Sequence, residues 1–225
     1  MNQQNNILLG IPSLGSVDWR FASSLALMKS PCIVTHMWTV RTMINEARNL
    51  FVKELLSNDK YTHLCMIDDD EIFEPNILVD LYQKNVEAIC ANVYQRREPY
   101  SPCVFKKLDD GYHPYYTNKF EKVDGFGTGF VLYKREVFEK IHYPWFETYY
   151  DDVGDLWSVD LDFTNKMYKA GINMYVDGPS IVKHIGDQII VDDVFVSDYL
   201  KKENKKTTLY SEKELKKRIE NGIIK

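Results

Sequence analysis

Apolar residues fall along this chain in short runs broken by polar stretches of helical spacing. The runs at residues 7–11, 32–37, 63–67, 87–92, 129–133 and 173–176 predict buried strands. Residues 17–28, 42–56 and 76–84 carry helical patterns and fill the first three gaps. Alternating strands and helices imply an α/β domain with a mostly parallel sheet. Residues 93–125 break the pattern, being rich in Tyr, Pro, Lys and Asp. They read as loops with short strands near 103–106 and 120–123, an excursion over the cleft side of the sheet. A further helix is expected over 158–170, stopped by Gly171.

The tail has its own character. Residues 201–225 hold nine Lys/Arg and four Glu, a charge of +5, which leaves about −10 on the rest of a chain whose net charge is −5. The expected division is therefore a main domain over 1–198 and a basic helical tail over 199–225. Ser211 and Glu214 form a capping box in the tail. Such a tail reads either as a solvated helix at the domain edge or as an arm for peripheral contact with an anionic membrane or acceptor.

Composition narrows the class. The 225 residues are 44% hydrophobic and 27% charged, as in an ordinary globular domain. The acidic balance argues against a nucleic-acid partner. No apolar stretch approaches the ~20 residues of a membrane helix, and the opening MNQQNNILLGIP lacks the basic start of a signal peptide. Cys32, Cys65, Cys90 and Cys103 form no C-x-x-C pair, and the first three lie in apolar runs. Reduced thiols in a cytoplasmic protein are expected.

The strongest chemical signal is Cys65-Met66-Ile67-Asp68-Asp69-Asp70-Glu71, where an apolar strand runs straight into carboxylates. Alternate residues share a face, so Asp68 and Asp70 can point the same way. The carboxyl end of a strand in an open α/β sheet is where ligands sit. Adjacent carboxylates repel, and a divalent cation or a sugar hydroxyl relieves that repulsion. An acidic turn capping the helix after Pro75 fits the same residues. An EF-hand does not, because its sixth loop position lacks Gly.

The run Met66-Ile67-Asp68-Asp69-Asp70-Glu71 resembles the D-x-D segment of GT-A glycosyltransferases, in particular the family 2-like enzymes. Further segments match in order: Glu46-Ala47-Arg48-Asn49-Leu50; Gly125-Phe126-Gly127-Thr128-Gly129 with Lys134-Arg135-Glu136-Val137-Phe138; Pro144-Trp145-Phe146; Asp160-Leu161-Asp162-Phe163; and Tyr175-Val176-Asp177 with His184-Ile185-Gly186. The matches span about residues 7–187. The resemblance implies a single GT-A domain with a Rossmann-like, mostly parallel central sheet flanked by helices. It implies transfer of a sugar from a nucleotide-diphosphate sugar, a UDP- or GDP-sugar, to a hydroxyl on a glycan, lipid or protein.

Roles carried over by the resemblance are as follows. Asp70 is a direct ligand of Mn²⁺ or Mg²⁺, Asp68 supports the metal or contacts the ribose, and His184 is the second ligand. Asp69 joins the nucleotide site. Asp160, in the first turn of its helix, is the general base of an inverting transfer. The nucleotide sits on the turn at Pro12 and Ser13, Arg48 reaches a phosphate, and Gly127 and Thr128 approach the donor sugar. The chain departs from the pattern at Val159, where the family has Glu. Two other classes fit the sequence: a nucleotide-sugar nucleotidyltransferase, although Pro12-Ser13-Leu14-Gly15-Ser16 lacks a Gly-rich activating loop with basic residues, and a non-catalytic nucleotide- or glycan-binding module with a degenerate site. Residues 149–154 are expected to form a flap over the site.

Overall fold

The strands expected from the apolar runs alternate between two buried faces, which is why they read as continuous apolar segments. A computed structural model describes residues 5–150, 156–186 and 190–202. Among these the strands are β1 (Asn6–Ser13), β2 (Ile33–Val40), β3 (His63–Ile67), β4 (Glu71–Ile72), β5 (Ala88–Val93), β6 (Val104–Leu108), β7 (Gly111–Pro114), β8 (Phe120–Val123), β9 (Gly125–Phe126), β10 (Phe130–Lys134), β11 (Tyr149–Tyr150), β12 (Leu156–Trp157), β13 (Met174–Ile185) and β14 (Ile190–Val191). The helices are α1 (Trp19–Leu27), α2 (Ile44–Ser57), α3 (Ile77–Gln83), α4 (Arg135–Lys140), α5 (Val159–Lys169) and α6 (Asp193–Lys202).

The main sheet has the order β14-β13-β5-β10-β3-β1-β2, with β4 and β8 also paired to β13. Strands β1, β2 and β3 run parallel, as do β5 and β13. Between these groups β10 is antiparallel to both β3 and β5. The sheet is mostly parallel, as expected, with β10 reversed at its centre and β4, β8 and β14 antiparallel to β13.

Leu8, Met66, Cys90, Val131 and Tyr133 face one layer, with Phe51 of α2, Phe138 of α4 and Phe163 of α5. Ile7, Leu9, Ile67, Ile89 and Leu132 face the other, with Phe21 of α1 and Leu78 of α3. Helices therefore cover both faces. Gly10 marks the closest approach: a Cβ there would stand 2.5 Å from the Phe51 ring. The buried Asn49 side chain accepts from Trp145 N and Phe146 N, each at 3.1 Å, and donates to Phe146 O at 2.8 Å. This fastens the segment after α4 onto α2.

The excursion is more ordered than its composition suggests. β6, β7 and β9 make a separate three-stranded sheet. Strands β6 and β7 close through a tight turn in which Leu108 pairs with Gly111, whose φ is +131°. Cys65 and Cys90 are buried, Cys32 and Cys103 half-buried, and all four are unpaired. No described helix is long and apolar enough to cross a membrane. Helix α6 runs across position 198, where the sequence divides domain from tail. The capping box at Ser211 and Glu214 and most of the 149–154 segment lie outside the described residues.

Candidate metal and nucleotide site

Every parallel strand of the main sheet ends on one edge, and the acidic run lies there. Strand β3 stops at Ile67. The chain then turns through Asp68, Asp69 and Asp70 before Glu71 begins β4, which pairs with the end of β13. Asp68 N donates to Gly129 O (2.8 Å), and Ile185 N donates to Asp70 O (2.8 Å). These two bonds pin the turn between β10 and β13. Because β10 is reversed, its entry at Gly127, Thr128 and Gly129 reaches the edge where its neighbours finish.

Asp70 and His184, 114 positions apart, meet with Nε2 and Oδ2 at 3.2 Å. His184 donates from Nδ1 to the Tyr94 carbonyl (2.8 Å). That bond fixes the ring and turns Nε2 toward the carboxylates, the usual arrangement for a ligating histidine. Arg96 donates to Asp70 Oδ2 at 2.5 Å. Burial opposes charge on His184, but the Asp70 hydrogen bond and the nearby Glu71 raise its pKa to about 9. Burial also opposes charge on Asp70, and His184 and Arg96 together hold it below its ordinary value. Glu71 pairs opposite His184 in the β4–β13 register and is fully buried. Its ligand atoms and those of Asp70 and His184 all lie within 4.8 Å of one another.

Asp68 turns elsewhere. Both its oxygens face Arg48 Nη2, at 3.4 and 3.5 Å. Burial raises its pKa to about 6 against the pull of Arg48. Arg48 also donates to Asp160 Oδ1. The Arg48 residue is 4% exposed, so the structure gives it two carboxylates rather than an open path to a phosphate. Thr128 Oγ1 donates to the same Asp160 Oδ1 at 2.6 Å. Asp160 Oδ2 lies over Gly127, 3.5 Å from where a Cβ would stand. Asp160 and Asp162 occupy the first turn of α5, whose N-cap Ser158 accepts from Leu161 N. Asp162 is separate from the site: it accepts from Glu147 N and Lys166 Nζ.

The remaining expected residues fall on the same edge. Pro12 and Ser13 end β1, and Ser13 hydrogen-bonds to Asp69, which opposes the rise that burial causes in that carboxyl. The glycines of 125–129 make room for side chains. A Cβ at Gly125 would lie 2.3 Å from Thr164 Cγ2, and one at Gly129 would lie 2.6 Å from Glu71 Oε1. In the 94–100 segment the groups divide. Arg96 faces the acidic turn, while Tyr100 packs against Phe195 and Tyr199 of α6.

Two carboxylates and an imidazole suit Mn²⁺ or Mg²⁺, the imidazole favouring Mn²⁺. The fit has a sign in the structure itself: among the described residues neither Glu71 oxygen has a hydrogen-bond partner, although both are buried. Glu71 is not among the site residues that the sequence marks. Its signal was its place beside three carboxylates. A cavity of about 740 Å³ lies apart from the site, beneath α3, but its buried Asp177 is already paired with Lys84 (3.1 Å) and Ser180 (2.6 Å).

No family model matches this sequence, and no curated protein matches it. Solved structures do. The A197 protein from STIV superposes with a TM-score of 0.58 at 20% identity, over 81% of this chain and 86% of that one. GalNAc-T7, solved with UDP, GalNAc and Mn²⁺, superposes with a TM-score of 0.54 at 10% identity, over 82% of this chain. This chain spans 44% of GalNAc-T7's length. At these identities the likeness speaks for the fold alone, and with the sheet order and the matched segments it establishes that the chain has the GT-A fold.

Proposed function

We propose that this protein is a metal-dependent glycosyltransferase that moves a sugar from a UDP- or GDP-sugar to a hydroxyl on a glycan, lipid or protein acceptor. The observation that carries this reading is the meeting of Asp70 and His184 at the carboxyl edge, with Asp160 held nearby by Arg48 and Thr128. Asp70 and His184 are the ligands of Mn²⁺ or Mg²⁺. The chemistry such an ion supplies is Lewis-acid neutralisation of the charge that builds on the departing diphosphate. Pro12, Ser13, Asp68 and Asp69 line the nucleotide side, with Asp68 facing the ribose. Gly127 and Thr128 lie beside the donor sugar.

Asp160 serves as general base. Its Oδ1 is occupied by Arg48 and Thr128, which orient the carboxylate and leave Oδ2 for the acceptor. The acceptor oxygen bonds to the anomeric carbon from the face opposite the diphosphate. The bond from that carbon to the diphosphate oxygen breaks, and the nucleotide diphosphate leaves with the electron pair. The hydroxyl proton passes to Asp160. Attack from the opposite face inverts the anomeric centre. Arg48 acts through Asp160 and Asp68 rather than on a phosphate.

The test is a product assay with Mn²⁺ and a panel of nucleotide sugars and acceptors. Release of nucleoside diphosphate coupled to sugar transfer is expected; release of pyrophosphate from a sugar phosphate and a nucleoside triphosphate would indicate nucleotidyl transfer instead. Asp160→Asn should lower transfer by roughly 10²-fold or more and keep donor binding. Near-normal transfer in that variant would remove Asp160 from the base role.

A further inference from the structure

Among the described residues, a carboxylate outside the D-x-D pair is left without a hydrogen-bond partner. Glu71 is 0% exposed, and neither of its oxygens accepts a hydrogen bond from any described residue. A buried carboxyl that accepts no hydrogen bond is costly, so its position calls for a ligand. Its backbone, on β4, is fixed by the β4–β13 pairing opposite His184, whose imidazole faces the same group. Its side chain points where it does because residue 129 is glycine: any Cβ there would stand 2.6 Å from Glu71 Oε1. Asp70 and His184 are the groups it joins, and the three ligand atoms span no more than 4.8 Å. Asp68 is outside that group, with both oxygens turned to Arg48.

We propose that Glu71 is a third protein ligand of the divalent cation, so that Asp70, Glu71 and His184 hold the ion without Asp68 and before any nucleotide binds. The proposal rests on the metal-binding reading above and extends it. Two carboxylates balance the charge of a divalent ion by themselves, so the diphosphate need not supply that balance. Asp68 is then free to remain with Arg48 and face the nucleotide.

The experiment is a titration of the whole chain with Mn²⁺ alone, followed by the loss of the free-ion electron paramagnetic resonance signal. Wild-type protein is expected to bind Mn²⁺ without nucleotide. Glu71→Gln, shown to be folded by circular dichroism, should bind at least ~10-fold more weakly, and Asp68→Asn should bind as wild type does. If Glu71→Gln does not fold, Gly129→Ala tests the same point, because its methyl displaces the Glu71 carboxylate while leaving it in the chain; weaker Mn²⁺ binding is again expected. Wild-type affinity in the folded Glu71→Gln or Gly129→Ala variant, or binding by the wild type only when UDP or GDP is added, overturns the Glu71 proposal while the Asp70–His184 site stands. No Mn²⁺ binding under any condition overturns both.

Discussion

Arg48 shows how a single buried side chain ties together acidic groups from two elements. It is buried beneath two carboxylates on different elements, Asp68 after β3 and Asp160 on α5. Arg48→Ala would leave both without their counter-charge. Each aspartate side chain is about a third exposed, 32% for Asp68 and 33% for Asp160, so water softens the loss. We expect ~2 kcal/mol of destabilisation in a urea melt, less than for a fully buried pair. Glu87 offers a pH test. Its hydrogen bond with Lys140, aided by Asn173, lowers its pKa from 4.5 to about 2. A carboxyl depressed in the folded state contributes stability above its unfolded value and loses it as pH falls through the folded value. The stability gap between wild type and Glu87→Gln should therefore be full above about pH 4.5 and close toward pH 2. A gap independent of pH would contradict that assignment. At this scale the sequence marked Asp70, His184 and Asp160 as chemical groups, but not their neighbours. The Asp68–Arg48 contact and the orphaned Glu71 carboxyl are products of tertiary packing, and residue spacing carries no trace of them.

Elements decide how firmly Asp160 is held. The Ser158 side chain caps α5, and its loss in Ser158→Ala should cost ~1 kcal/mol. Because Asp160 lies in the first turn, transfer should fall along with stability; unchanged transfer in the destabilised variant would uncouple cap from base. At the other end of the sheet, Gly10→Ala forces a methyl into the Phe51 ring, and overpacking of α2 on β1 should cost about 1–3 kcal/mol. Thermal unfolding measures it. Strands β1, β3 and β5 and helices α1, α2, α3 and α5 were legible because their apolar periodicity matches their burial. β6 and β8 lie where the short strands near 103–106 and 120–123 are expected, whereas β7, the hairpin partner of β6, has no apolar run to announce it, only the hairpin signal Asp110-Gly111 beside its turn. The apolar run at 173–176 covers only the start of β13. The strand continues to Ile185 past Gly178 and Pro179, through a register shift between Asp177 and Ile181 that interrupts the apolar pattern. That hidden extension is what carries His184 to the acidic turn.

On the scale of the whole molecule, topology assembles the site. The parallel strands deliver Ser13, Asp68 and His184 to one edge, and the reversed β10 brings Thr128 there from the opposite direction. An alternation of strands and helices predicts a sheet with a ligand edge, but it does not reveal which strand is reversed. The D-x-D resemblance marks the edge, and the pairing of β4 with β13 sets Glu71 opposite His184 there. The central claim is that this edge holds a nucleotide-diphosphate sugar through a divalent ion. Its most direct test is thermal unfolding with UDP-, GDP- and dTDP-sugars, each with Mn²⁺ or with a chelator. One nucleotide class, at a concentration a hundred times its Kd, should add about 2.7 kcal/mol, a rise of roughly 5–10 °C for a domain of this size. The chelator should abolish that rise, as should His184→Ala. A set of melting temperatures unmoved by every nucleotide sugar in Mn²⁺, or a rise that survives both the chelator and His184→Ala, would contradict it.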